Sequence, residues 1–180
     1  MKPHTILLVE DGPEDEFLTT KGLQSSGVPF QLTVCRNGAG AIERLRDLSQ
    51  PVPGLIILDF RMPAIGGLDV LVALRAQPLT ERVPVVVLSS SLSPLQVREC
   101  VDEGANCCML KPFDSDEYVA AVSLLAQFWL NLALPMEVDG WNPSGSGLPD
   151  RGVPVPMEQT VLHPSTVGYD LSAPDIPPTA

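Results

Sequence analysis

Five short apolar runs break the first 135 residues into alternating pieces, and this alternation constrains the fold more than any other feature of the chain. The runs cover residues 6–9, 32–35, 55–58, 83–88 and 107–110. They are rich in Leu and β-branched residues and show little polar alternation. Strands covered on both faces read this way, as in a parallel sheet flanked by helices. Between them lie stretches of helical period. Phe17, Leu18 and Leu23 mark the first, and Ala41, Ile42, Leu45 and Leu48 the second. Leu68, Leu71, Val72 and Leu74 mark the third, and Leu95, Val97, Cys100 and Val101 the fourth. The last runs from Asp114 to about Leu134, with Tyr118, Val119, Val122, Leu125 and Trp129.

Helix boundaries are signposted as well. Pro13 and Pro94 suit the first helical position. Asp114 with Glu117 reads as a capping box, and Gly27 and Gly104 stand where two helices should stop. Five strands alternating with five helices predict an α/β protein, a doubly wound five-stranded parallel sheet of (βα)5 type with right-handed crossovers.

From Met136 on the grammar changes. Residues 136–180 are dense in Pro, Gly and Ser, and they hold one basic residue, Arg151, against six acids. So many prolines oppose helix and sheet. The expected organisation is a domain over 1–135 followed by an acidic tail over 136–180. The tail is either disordered or extended along a surface, with Trp141, Val153, Val155, Leu162 and Tyr169 as the anchors in the second case.

The whole chain of 180 residues has a formal charge of −11 and a pI near 4.4. Such a surface repels phosphate backbones and anionic lipid, which argues against nucleic-acid and membrane partners. No apolar run approaches the ~20 residues that span a bilayer, and the start of the chain lacks the pattern of a signal peptide. The expected location is therefore cytoplasmic. Cys35, Cys100, Cys107 and Cys108 form no CxxC pair, and His4 and His163 lie far apart, so reduced, mostly buried thiols are expected.

In an open α/β sheet the reactive crevice lies at the carboxyl ends of the strands. The residues there are Glu10 and Asp11 after the first run, Asp59 after the third, Ser89 and Ser90 after the fourth, and Lys111 with Pro112 after the fifth. Three carboxylates in one crevice repel each other unless a cation neutralises them. The cluster predicts a hard divalent metal such as Mg²⁺, and a metal beside a lysine suits a phosphoryl group. Asp59, at the centre, could act as nucleophile and form an acyl phosphate. Lys111 and Ser89 would then meet the phosphoryl oxygens.

Each residue also has a plain reading. Glu10 and Asp11 could be a solvated helix-entry pair, Asp59 a turn acid, residues 89–91 turn hydroxyls, and Lys111 a surface lysine. Their coincidence at neighbouring strand ends is what favours chemistry. Cys107 and Cys108, adjacent on a strand, point to opposite faces and read as buried filler.

The pattern LLVED, LDFRMP, VVLSSS and LKPF resembles the receiver domain of two-component response regulators, over about residues 4 to 134. The separations agree, with 30 residues from Asp59 to Ser89 and 22 from Ser89 to Lys111. The resemblance implies a flavodoxin-like receiver fold with Asp59 as phosphoacceptor. It makes Asp11 a direct Mg²⁺ ligand beside Asp59, Glu10 a ligand through water, and the main-chain carbonyl of Arg61 a further ligand. Ser89 becomes the switch hydroxyl, Lys111 the phosphate partner, and Lys111–Pro112 a cis peptide. The chain is then a regulatory phosphoprotein that assists its own aspartyl phosphorylation and dephosphorylation. A histidine kinase is the donor, and output runs by protein contact, dimerisation or onward phosphotransfer, through the face of the fourth helix, fifth strand and fifth helix.

The sequence also resembles the stand-alone receivers that serve bacterial phytochrome kinases, a subgroup that dimerises through the end of its last helix. Here Phe128, Trp129, Leu130 and Leu134 precede Pro135. Two positions depart from the family. Cys108 stands where an aromatic switch residue is common, and Ile65 where an Asp often precedes the loop glycine. Two other readings remain. A haloacid-dehalogenase-type phosphatase would want a second Asp two after the nucleophile, where Arg61 stands. A phosphate-independent scaffold would need a broken acid set, and this one is intact.

Overall fold

The structure, a computed structural model, describes residues 3–47 and 49–132. Five strands, β1 (His4–Val9), β2 (Phe30–Cys35), β3 (Leu55–Asp59), β4 (Val85–Ser89) and β5 (Cys107–Leu110), form one sheet in the order β2-β1-β3-β4-β5. All four pairings are parallel. They alternate along the chain with α1 (Pro13–Ser25), α2 (Gly38–Arg46), α3 (Gly67–Arg75), α4 (Pro94–Asp102) and α5 (Ser115–Gln127). The expected doubly wound sheet is present.

Side chains alternate across the sheet, so each strand feeds two cores. Leu7, Val9, Ile56, Leu58, Val85 and Val87 face α2, α3 and α4, where Leu45, Leu71, Leu74 and Cys100 close that layer. Ile6, Leu8, Leu55, Ile57, Val86 and Leu88 face α1 and α5, where Leu23, Tyr118, Val122 and Leu125 close the other. The central strands β3 and β4 are buried throughout, as the continuous apolar runs require. The edge strands β2 and β5 are only half-covered, and among the described residues each pairs with a neighbour on one side alone.

Helix starts follow their expected chemistry. Pro13 and Pro94 open α1 and α4. The Asp114 carboxylate accepts the N–H groups of Asp116 and Glu117, both at 2.9 Å. The reciprocal box forms instead at α4, between Ser93 and Gln96. Gly27 and Gly104 end α1 and α4 at φ 72° and 90°, where an L-residue is strained.

Several apolar positions face water rather than the core. Phe17 is exposed on α1, whose inner face is made by Thr19, Gly22 and Leu23. On α4 only Cys100 turns inward, and Leu95, Val97 and Val101 are exposed. The last helix passes from α5 into a π-helical turn, Phe128–Leu132. The Lys111–Pro112 peptide is trans, because no cis peptide occurs among the described residues; trans is the lower-energy form even before proline. Leu48, Leu134 and the candidate anchors of the 136–180 segment lie outside the described residues.

Candidate functional site

Strand order places the site. β1 has β2 on one side and β3 on the other, so the chain changes direction there and leaves a crevice at the carboxyl ends of β1 and β3. Asp59 ends β3, and Glu10 and Asp11 follow β1 directly. One carboxylate oxygen from each of Glu10, Asp11 and Asp59 lies within 4.8 Å of the others. Glu10 and Asp59 are buried, and Asp11 is exposed.

Lys111 enters from the far side. Its ammonium lies 2.6 Å from Asp59 Oδ1, 2.7 Å from Glu10 Oε2 and 2.7 Å from Asp15 Oδ2. The second oxygens of the buried acids take backbone donors. The Gly12 N–H donates to Glu10 Oε1 at 3.0 Å, and the Arg61 N–H to Asp59 Oδ2 at 2.8 Å.

The electrostatics are unbalanced. Burial pushes the Asp59 carboxyl above its usual range, against the downward pull of Lys111 and the Arg61 amide. Burial likewise raises Glu10, with Lys111 opposing and Asp59 adding to the rise. Burial lowers the Lys111 ammonium, but its bonds to Asp15, Asp59 and Glu10 outweigh that and raise it overall. One ammonium therefore answers four carboxylates. Three oxygens of hard donor type, converging with an excess of negative charge, fit a divalent cation.

The structure brings Glu10, Asp11, Asp59 and Lys111 together, as the sequence predicts. The Arg61 backbone lies against Asp59, while its guanidinium reaches the Ser91 carbonyl at 3.3 Å and the Ser91 hydroxyl. Ser89 is buried at the end of β4, and its hydroxyl donates to the Ser91 carbonyl at 2.9 Å. The Ser89 hydroxyl is thus held within its own loop. Cys108 is half-buried against the α2–α4 core beside Cys100.

Asp15 is the partner that sequence reasoning missed. It occupies the third position of α1, whose N-cap is Gly12. An acid there reads as an ordinary helix-start residue, stabilised by the dipole. The available signal was geometric: side chains in the first turn lean back over the helix start, and α1 starts at the crevice.

The loop before α3 shows how Ile65 is accommodated. The Asp69 carboxylate accepts the Gly66 N–H at 3.1 Å, so a side chain from inside the helix caps the loop. Phe128, Trp129 and Leu130 do not share a face. Phe128 is exposed and meets the half-buried Trp129 ring edge-on at 5.2 Å, whereas Leu130 is buried in the α1–α5 core. Among the described residues no helix is long and apolar enough to cross a membrane.

Comparison with known proteins gives a consistent picture. The family model for the response regulator receiver domain matches residues 6–123. Response regulator Rcp1 of Synechocystis sp. is 32% identical over 132 residues, which span 71% of this chain and 90% of that protein. The crystal structure of the phosphorylated cyanobacterial phytochrome response regulator RcpA aligns with a TM-score of 0.70 at 31% identity, covering 74% of this chain and 98% of that one. The Mn²⁺-bound form of Rcp1 aligns with a TM-score of 0.69 at 31% identity, covering 73% and 98%.

Proposed function

The chain belongs to the response regulator receiver family, and from that premise we propose that it is a phosphorylation switch charged at Asp59 by a histidine kinase of phytochrome type. The observation that carries this reading is the Asp59 carboxylate, buried, ion-paired to Lys111 and adjoining two further carboxylates.

A carboxylate oxygen of Asp59 attacks phosphorus. The new bond is O–P, the bond that breaks is P–N to the kinase histidine, and the imidazole leaves with the electron pair and takes up a proton. Asp11, Asp59 and the Arg61 carbonyl would hold Mg²⁺ directly, with Glu10 acting through water. The cation supplies positive charge against the phosphoryl oxygens. Lys111 meets one of those oxygens from the opposite side. The Ser89 hydroxyl meets another after leaving the Ser91 carbonyl. Water that reaches the same acyl phosphate removes it, so the protein assists both its charging and its discharge.

The added charge of about −1.5 to −2 redraws the bonds of Ser89 and Lys111, which end β4 and follow β5. That change reaches the face made by α4, β5 and α5, where Leu95, Val101, Leu110 and Leu124 are exposed. Output is a protein contact, onward phosphotransfer, or dimerisation through the end of the last helix, where Phe128 and Trp129 offer apolar area and Leu134 follows. The phytochrome-type partner is supported by the likeness to cyanobacterial phytochrome regulators. Such a kinase places the exchange in the cytoplasm.

Acetyl phosphate with Mg²⁺ tests the reading. An acid-stable, hydroxylamine-labile label is expected on wild type and absent from Asp59→Asn. Turnover of p-nitrophenyl phosphate without a trapped adduct would instead indicate a phosphatase.

A further inference from the structure

The Lys111 ammonium has three hydrogens, and three carboxylates stand at bonding distance: Asp59 at 2.6 Å, Glu10 at 2.7 Å and Asp15 at 2.7 Å. Its donors are fully used. A phosphoryl oxygen can be met by Lys111 only if one of these bonds is exchanged.

The three partners differ in what release would cost. The Glu10 and Asp59 side chains are 3% and 5% exposed, and each is pinned through its second oxygen by a backbone N–H. Removing the ammonium from Glu10 leaves a buried charge without its cation, which is expensive. Asp59 gives up its own charge only once the O–P bond has formed, so neither is free to release the lysine to an incoming donor. Asp15 differs. Its side chain is 40% exposed, so water takes the place of the ammonium at little cost. It also sits in the first turn of α1, where the helix dipole favours a free carboxylate.

We propose that Asp15 is a positioning residue for the reaction at Asp59: it occupies the Lys111 hydrogen that an incoming phosphoryl oxygen takes over, and so sets how readily the site accepts a phosphoryl donor. Asp15 acts in two ways that share a sign. It keeps a lysine hydrogen engaged, and it adds negative charge at the rim that an anionic donor must pass. In return it ties α1 to the loop after β5 while the site is uncharged. This inference rests on the phosphoacceptor reading of Asp59 above.

The test is the rate of Asp59 labelling against acetyl phosphate concentration at saturating Mg²⁺, with melting curves of the same proteins taken without donor. For Asp15→Asn, KM should fall about two- to fivefold, the range for a partly exposed ion pair, while kcat changes less than about 1.5-fold. Asp15→Glu keeps the charge and should return KM to the wild-type value. A KM that is unchanged or raised in Asp15→Asn overturns the proposal. So does a lowered Tm with unchanged KM, which would assign Asp15 to the helix start alone. If wild type takes no label, or Asp59→Asn keeps it, the phosphoacceptor reading itself has failed and this inference falls with it.

Discussion

Lys111 Nζ stands 2.6 Å from Asp59 Oδ1, although Asp59 ends β3 and Lys111 follows β5, strands that are not neighbours in the sheet. β4 lies between β3 and β5, so the lysine spans a strand to reach the acid. It brings one positive charge to a crevice whose carboxylates exceed it, and burial holds Asp59 and Glu10 above their usual range despite the bond.

The first consequence is a stability change of unusual sign. Without divalent cations, Asp59→Asn removes a buried charge that the lysine shares with Glu10 and Asp15. The variant should be more stable than wild type by about 1 kcal/mol, or about 3 °C in Tm. Saturating Mg²⁺ should raise the wild-type Tm, since a cation at about 100 times its Kd adds about 2.7 kcal/mol. The variant should lose most of that rise. Differential scanning calorimetry in chelator and in Mg²⁺ reads both. A variant less stable than wild type in chelator would show that Lys111 fully compensates the site.

Gly67 carries the helix start that backs Asp59. A Cβ built on Gly67 collides with the Asp59 carbonyl oxygen and comes within 2.8 Å of Phe60 Cα, both of them backbone. Backbone yields less than a side chain end, so Gly67→Ala should cost about 1–3 kcal/mol and slow labelling of Asp59. At Gly54 the nearest atom is 3.6 Å away, and Gly54→Ala should change little. Urea denaturation of the two variants compares them. Equal midpoints would show that the α3 start shifts freely.

The contrast between these positions shows what was legible in the sequence. Strand identity was, because β3 and β4 are buried on both faces and carry unbroken apolar runs. So was the site, because strand ends meet at one edge and Glu10, Asp11, Asp59 and Lys111 each stand next to a strand. Helix faces were less so. Phe17, Leu95 and Val101 fit a helical period yet face water, while Thr19 and Gly22 make the buried face of α1. Hydrophobicity does not report that a threonine finds a buried partner, or that a glycine admits a close helix. Asp15 escaped for a related reason. Its role depends on where α1 points, which residue type does not encode.

That buried partner of Thr19 is the Tyr118 hydroxyl, 2.8 Å away between α1 and α5. Both residues are nearly inaccessible. Tyr118→Phe or Thr19→Val alone leaves one buried hydroxyl unsatisfied and should cost about 1–3 kcal/mol. The double variant removes both and should cost less than the sum, with a coupling of at least about 0.5 kcal/mol. Additive single effects would show that each hydroxyl finds another partner.

Proposed dimerisation places Phe128 at the contact, since it is 52% exposed at the end of the last helix while Leu130 is buried. Trp129 is half-buried against the α1–α5 core, which makes Phe128 the cleaner probe. Sedimentation at tens of micromolar should show a wild-type dimer and a Phe128→Ala protein shifted toward monomer, with melting little changed. Identical monomers would remove the last helix as a dimer contact.

The thiols give a pH dependence with a definite sign. Burial is the main cause that pushes Cys100 from its ordinary 9.0 to about 12, with Cys108 adding to the rise. Cys100 is fully inaccessible in the core that α4 closes. A raised pKa means that the folded chain keeps a proton which the unfolded chain releases above pH 9. Stability from this group is therefore whole below pH 9 and is lost as pH climbs from 9 toward 12, by up to about 1.4 kcal/mol per unit. Tyr118, which burial raises from 10.0 to about 12, acts in the same direction. Cys100→Ala removes one titrating group. Whatever the truncation costs at neutral pH, the decline in urea midpoint between pH 9 and 11 should be shallower than in wild type. The same burial keeps the thiol neutral at pH 8, so Cys100 should resist iodoacetamide in the folded protein and react once urea unfolds it. Parallel pH profiles for wild type and Cys100→Ala would mean that α4 opens readily enough to hydrate the thiol, and rapid native alkylation of Cys100 would say the same.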